Sequence, residues 1–204
     1  GYGFELDVLL SQDNKAMVFH DLKLNRLTGK SGRIDDYSAK QLSHIDLLQS
    51  KDKIPSLAEV LQNTNNTSPI LIEIKGDQNR PNIIAQSVYE EIENYNGPVA
   101  VMSFYPEIIR WFQENAPHIL RGLVATSLND GELPQEYFSP ELQIDYIDKL
   151  AVDFIAYDIK SLPNEVTRYC QEKGIKVLTW TVRSPEQREN ACRNTDNIIF
   201  EFPA

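Results

Sequence analysis

The sequence predicts an α/β fold on a mostly parallel sheet. Short apolar runs recur along the chain, amphipathic stretches separate them, and acids or an acid and a lysine interrupt two of the runs at i and i+2. The runs are FELDVLL (4–10), ILIEIK (70–75), VAVMSF (99–104), LRGLVA (120–125), FIAYDI (154–159), KVLTWTV (176–182) and NIIFEF (197–202), each the length of a buried strand. Helical patterns fill the intervals at SLAEVLQN, PNIIAQSVYEEIENY, YPEIIRWFQENA, SPELQIDYIDKLA, PNEVTRYCQEKG and SPEQRENACRN. Several open on Ser or Asn beside Pro, and one stops at Gly174, as helix ends prefer. Strand and helix in alternation imply right-handed crossovers between parallel strands, in an open sheet or a (β/α)8 barrel. No Gly-x-Gly-x-x-Gly follows any run, which argues against dinucleotide binding. A barrel needs eight strands, and the buried runs number seven.

One further strand is expected at AMVFHD (16–21). It follows LLSQDNKA, whose Asp13-Asn14 pair suits a hairpin turn. A chain that folds back about residue 13 sets position 20 opposite position 6, so His20 returns to the neighbourhood of Glu5 and Asp7. Residues 21–55, rich in polar and turn residues, read as a long excursion over one end of a single domain spanning 1–204.

The composition is that of a folded protein, 41% hydrophobic and 25% charged, so disorder is excluded. A formal net charge of -10 argues against capture of nucleic acid or of an anionic membrane surface. No apolar run approaches the ~18 to 20 residues of a membrane span, so no membrane insertion is expected. Cys170 and Cys192 lack metal spacing and read as reduced packing thiols. Gly29-Lys30-Ser31 is not a phosphate loop, because Leu24 stands where that pattern needs glycine; it reads as a turn. The overlapping sequons at Asn65 and Asn66 mark an exposed polar loop.

On a strand, Glu5 and Asp7 project from the same face, and like charges held together call for water or a cation. Glu73 and Lys75 repeat the spacing at the carboxyl end of another strand, where parallel sheets place their sites. Solvated acids and a structural ion pair are the plainer alternatives for these groups. If Glu5, Asp7 and Glu73 converge, they form a hard oxygen site suited to Mg2+ or Ca2+. Lys75 beside them fits a phosphate group and His20 could move a proton, so the chemistry suggested is metal-assisted phosphoryl transfer.

These segments, GFELDVLLSQDNKAMVFHDLKLNRLTGKSGRI, IPSLAEVL, LIEIK, MSFYPEIIRWFQENAP, GIKVLTWTVRSPEQ and NIIFEFP, resemble in order and spacing the bacterial glycerophosphodiester phosphodiesterases, over essentially the whole chain. The resemblance implies a TIM barrel that hydrolyses glycerophosphodiesters to glycerol 3-phosphate and an alcohol. By position, Glu5, Asp7 and Glu73 match the family's divalent-metal carboxylates, Lys75 a substrate-phosphate contact, and His20 one of two catalytic histidines acting as general base and acid. The glycerol hydroxyl next to the ester is the implied internal nucleophile. Phe104 and Trp180 close their strands where the family lines its substrate pocket.

The departures set further expectations. The family's first strand carries His-Arg-Gly, followed by Pro-Glu-Asn, and these residues hold neither. The expected fold is therefore a barrel without its first strand and helix, weakly active or inactive in this form, with two strand edges at a gap that invite pairing into a homo-oligomer. His44 and His118 read as surface histidines and not as substitutes for the second proton carrier. Glu201 stands where the family usually has Asp. The rival expectation is a catalytically inactive barrel that binds a phosphorylated or polyol ligand; a phospholipase acting on intact lipids is disfavoured by the lack of an apolar membrane-engaging segment. The compact form of the family without a large inserted domain points to the cytoplasm.

Overall fold

The computed structural model describes residues 2–64, 66–76, 80–129, 131 and 133–201. Asn65, the first sequon, and Phe202, the end of the last apolar run, lie outside the described residues. The chain divides into two compact units, Gly1–Val101 with Glu114–Ile119, and Met102–Gln113 with Leu120–Ala204.

In the first unit, β1 (Phe4–Leu10) pairs antiparallel with β2 (Ala16–Val18), with Val8 opposite Val18 and Leu10 opposite Ala16. The turn is held at Ser11, whose N–H donates to Lys15 O and whose hydroxyl donates to Asp13. Asn14 adopts φ 58°, a left-handed conformation that asparagine tolerates better than most residues. β2 is shorter than the apolar run suggests; on its side away from β1, Val18 N–H donates to Pro55 O. The expected register nevertheless holds: Phe19 N–H returns to Asp7 O at 3.0 Å, which sets position 20 opposite Leu6.

The excursion carries two short helices, α1 (Asn25–Thr28) and α2 (Ala39–Leu42), with a 3-10 turn at Ile34–Asp36 between them. It is not a loose loop. Leu24, Ile34, Leu42, Ile45 and Ile54 bury themselves against Leu9, Met17 and Phe19, so the segment has an apolar core of its own. Gly29 ends α1 in the left-handed conformation, as the turn reading of Gly-Lys-Ser requires. α3 (Leu57–Thr64) starts at a reciprocal cap in which Ser56 N–H donates to Glu59 and Glu59 N–H donates to the Ser56 hydroxyl.

β3 (Ile70–Ile74) runs parallel to β1, pairing Asp7 with Glu73 and Val8 with Ile74. α4 (Pro81–Ile92) opens on proline and buries Ile84, Val88 and Ile92, one residue per turn. β4 (Val99–Ser103) and α5 (Pro106–Asn115) come next along the chain.

The second unit repeats strand and helix. β5 (Leu120–Ala125), β6 (Phe154–Asp158), β7 (Lys176–Val182) and β8 (Asn197–Phe200) lie parallel in that order. Between them come α6 (Pro140–Leu150), α7 (Glu165–Lys173) and α8 (Pro185–Asn194), whose N-termini are capped by Ser139, Asn164 and Ser184. Each such cap stabilises its helix by about 1 kcal/mol. Gly174 closes α7 with φ 75°. Ile155, Tyr157, Val166 and Val177 are among the residues that form the core. Gly122 faces Phe154 across the β5–β6 pair, and a Cβ there would meet the Phe154 ring at 2.2 Å. Cys170 is buried in this core, where burial pushes its thiol up to about 12, but Cys192 is exposed on α8 and is not a packing thiol. Both are free. No helix among the described residues is long and apolar enough to cross a membrane.

Candidate active site

The β1–β3 pairing decides where the acids go. Asp7 and Glu73 are direct neighbours across the two parallel strands, and Glu5 lies two residues back on the same face of β1. One carboxylate oxygen each from Glu5, Asp7 and Glu73 can be chosen so that all lie within 4.8 Å of one another. Lys75, just beyond β3, is fixed by its N–H bond to Val8 O at 2.9 Å. Its ammonium turns back over the acids, with Nζ 3.0 Å from Glu73 Oε1 and 3.2 Å from Asp7 Oδ1.

Glu73 is the most deeply placed of these three acids, with 9% of its surface exposed. Its Oε1 is buried, and the nearby ammonium lies at ion-pair distance without the alignment of a hydrogen bond. Burial pushes the Glu73 carboxyl above its ordinary range, against the attraction of Lys75 and with the Asp7 charge adding to the rise. Burial acts against the Lys75 charge as well, but Glu73 and Asp7 outweigh it and hold the ammonium above its usual range. An acid that burial pushes toward neutrality is a group whose charged form a cation would favour. The donor set is all oxygen, and it fits Mg2+ or Ca2+ better than zinc.

His20 follows β2 where the hairpin returns beside Asp7. Its Nδ1 lies 2.6 Å from Asp21 Oδ1. Arg26, on α1, donates to both oxygens of the same carboxylate, from Nε to Oδ2 and from Nη2 to Oδ1, each at 2.6 Å. Those bonds from Arg26, helped by His20, hold the Asp21 carboxyl below its usual range despite partial burial.

In the second unit, Phe104 and Trp180 meet edge to face, ring centroids 5.7 Å apart at 85°. Trp180 is anchored by its Nε1–H, which donates to Ala156 O at 2.9 Å. Glu201 is paired: Arg183 donates to its two oxygens at 2.8 and 3.1 Å. His44 and His118 are exposed, as expected of surface histidines.

The sequence pattern of the Glycerophosphoryl diester phosphodiesterase family matches residues 3–204. The chain belongs to that family. It is 35% identical, over 98% of its length and 83% of the relative's, to a glycerophosphodiester phosphodiesterase of Bacillus altitudinis. It is 25% identical to one from Caldanaerobacter subterraneus, over 98% of this chain and 82% of the relative. Among solved structures, a glycerophosphodiester phosphodiesterase from Thermotoga maritima matches 96% of this chain and 80% of its own, with TM-score 0.73 and 28% identity. An Oleispira antarctica phosphodiesterase in complex with the product sn-glycerol-3-phosphate matches 98% of this chain and 81% of its own, with TM-score 0.82 and 18% identity. The fold is the family's α/β TIM-barrel type.

Within this glycerophosphodiester phosphodiesterase frame, the structure brings Glu5, Asp7, Glu73 and Lys75 together and ties Phe19, the residue before His20, to Asp7 O. Sequence reasoning assigned no role to Asp21 and Arg26. The available signal was a histidine followed at once by an aspartate, with an arginine five residues later on a short helix.

Proposed function

We propose that the protein hydrolyses glycerophosphodiesters to glycerol 3-phosphate and an alcohol with the help of one divalent cation, Mg2+ or Ca2+, held by Glu5, Asp7 and Glu73. Family membership carries the phosphodiesterase assignment. The observation that supports the cation is the convergence of the three carboxylates, one oxygen of each within 4.8 Å of the others. A cation of this kind supplies charge stabilisation to phosphoryl oxygens.

The chain's own groups divide the remaining work. Lys75, already beside Glu73 and Asp7, offers an ammonium to a phosphate oxygen of the substrate. His20 transfers a proton at the reacting centre. Phe104 and Trp180 are proposed to wall the glycerol or the leaving alcohol, with Trp180 kept in place by Ala156. The net charge of -10 disfavours anionic substrates in general, which makes a local cation and ammonium necessary for a phosphodiester.

The test is release of glycerol 3-phosphate from glycerophosphocholine by the protein, with and without EDTA. Loss of the rate in EDTA and its return with Mg2+ or Ca2+ are expected. An EDTA-insensitive rate would remove the cation, and no release from any glycerophosphodiester would remove the substrate class.

A further inference from the structure

We propose that Asp21 and Arg26 are positioning residues for His20: Asp21, pinned by the Arg26 fork, holds the imidazole with its proton on Nδ1 and leaves Nε2 as the proton-transfer atom. The inference rests on reading His20 as the proton carrier, and it goes further by naming the working nitrogen and the side chains that select it.

The geometry supplies the argument. A ring nitrogen 2.6 Å from a carboxylate oxygen must carry the hydrogen, because two lone pairs at that separation repel. Arg26 Nη2 approaches the same Nδ1 only at 3.5 Å, the limit of a hydrogen bond, whereas its bond to Asp21 Oδ1 is 2.6 Å long. Nδ1 is therefore a donor to Asp21 and not an acceptor from Arg26. In the neutral ring the lone pair then resides on Nε2, the usual result when one imidazole nitrogen is tied to a carboxylate.

Arg26 contributes the rigidity. Asp21 follows His20 directly, and a carboxylate held at one oxygen can rotate about its Cβ–Cγ bond and lose the ring. The guanidinium engages both oxygens in a planar fork, which fixes that torsion. The fork is itself held, because α1 is anchored by the fully buried Leu24 and closed by Gly29. A purely structural ion pair would not need to share an oxygen with an imidazole. Arg26 is largely exposed, with 61% of its side chain accessible, so its loss should not endanger the fold.

The experiment is 15N NMR of the histidine side chains in this chain, recorded where His20 is neutral and assigned with a His20→Gln variant. Wild-type His20 is expected to show a protonated Nδ1 and an unprotonated Nε2. Asp21→Ala should abolish the Nδ1–H preference. Arg26→Met should give ring shifts averaged between the two tautomers while melting stays close to wild type, and Arg26→Lys should not restore the wild-type shifts, since a single ammonium cannot fork. In the active enzyme, Asp21→Ala should lower kcat by about 10- to 100-fold with little change in KM, the usual effect of losing a histidine's orienting partner. A wild-type Nε2–H tautomer, or unchanged His20 shifts in Asp21→Ala, would overturn the proposal; unchanged shifts in Arg26→Met would overturn the part given to Arg26. The NMR result needs no turnover, so failure of the hydrolase assignment and failure of this inference are read separately.

Discussion

Lys75 bridges Asp7 and Glu73 across the β1–β3 pair, its single ammonium 3.2 Å from one carboxylate and 3.0 Å from the other. A cation bound among the same acids would take over part of that neutralising role. The side chains of Lys75, Asp7 and Glu73 are only 25%, 18% and 11% exposed, so neither acid can recover full hydration if the lysine is lost. Lys75→Met should therefore lower the unfolding free energy by about 2 to 3 kcal/mol in EDTA, somewhat less than breaking a fully buried pair. Mg2+ or Ca2+ should restore much of it by binding the folded form. Urea unfolding with and without the cation checks this, and a midpoint that ignores both ions would contradict a shared site.

Glu73 gives the pH dependence. Burial raises its folded-state carboxyl above the ordinary value of 4.5, so protonation favours the fold. That contribution is fully present below the unfolded value and is lost as pH rises through the raised folded value. Asp21 and Asp35 work in the opposite sense, because their depressed carboxyls contribute stability that disappears in acid. The difference between wild type and Glu73→Gln isolates the Glu73 effect. In EDTA the variant should be the more stable protein at neutral pH, with the gap closing toward acid. The variant should also bind Mg2+ or Ca2+ at least about tenfold more weakly, as loss of one charged ligand implies. Calorimetric titration with unchanged affinity would take Glu73 out of the cation site.

Much of this site was legible because it follows from local rules. The Asp13-Asn14 turn and the antiparallel count put position 20 opposite Leu6, and the i, i+2 spacing put Glu5 and Asp7 on one face; both hold in the structure. The strand runs at 4–10, 120–125 and 176–182 coincide with β1, β5 and β7 because turns and caps bound them sharply. The core of the excursion was not legible. Leu24, Ile34, Leu42, Ile45 and Ile54 follow neither a helical nor a strand period, so only tertiary packing unites them. The fork from Arg26 to Asp21 depends on the turn into α1, which propensity does not specify. Cys192 was misread for a similar reason: α8 buries little of its length, and its only described buried residue is Ala191.

The second unit has a steric test of its own. Gly122 leaves room for the Phe154 ring on the neighbouring strand, and an added Cβ would sit 2.2 Å from Cε2. Gly122→Ala should destabilise the protein by about 1 to 3 kcal/mol, the range for overpacking a filled core. Phe154→Leu in the same chain should recover part of the loss, because the clash is with the ring and not with the backbone. Thermal unfolding of the single and double variants decides it, and a Gly122→Ala protein as stable as wild type would show that the ring has space to move.

His20→Ala separates proton transfer from cation binding. None of the clustered oxygens comes from His20, and the contact that ties its segment to β1 is the backbone bond from Phe19 N–H to Asp7 O, which the substitution leaves in place. Calorimetry should therefore find Mg2+ or Ca2+ binding within about twofold of wild type, since the carboxylate ligands that set affinity are intact. Turnover of glycerophosphocholine should fall by at least about 100-fold, the lower part of the range for removing a general acid or base. The two measurements also distinguish a lost role from a lost structure. If both binding and turnover collapse, His20 supports the hairpin that carries Asp7; if both persist, proton transfer belongs to another group.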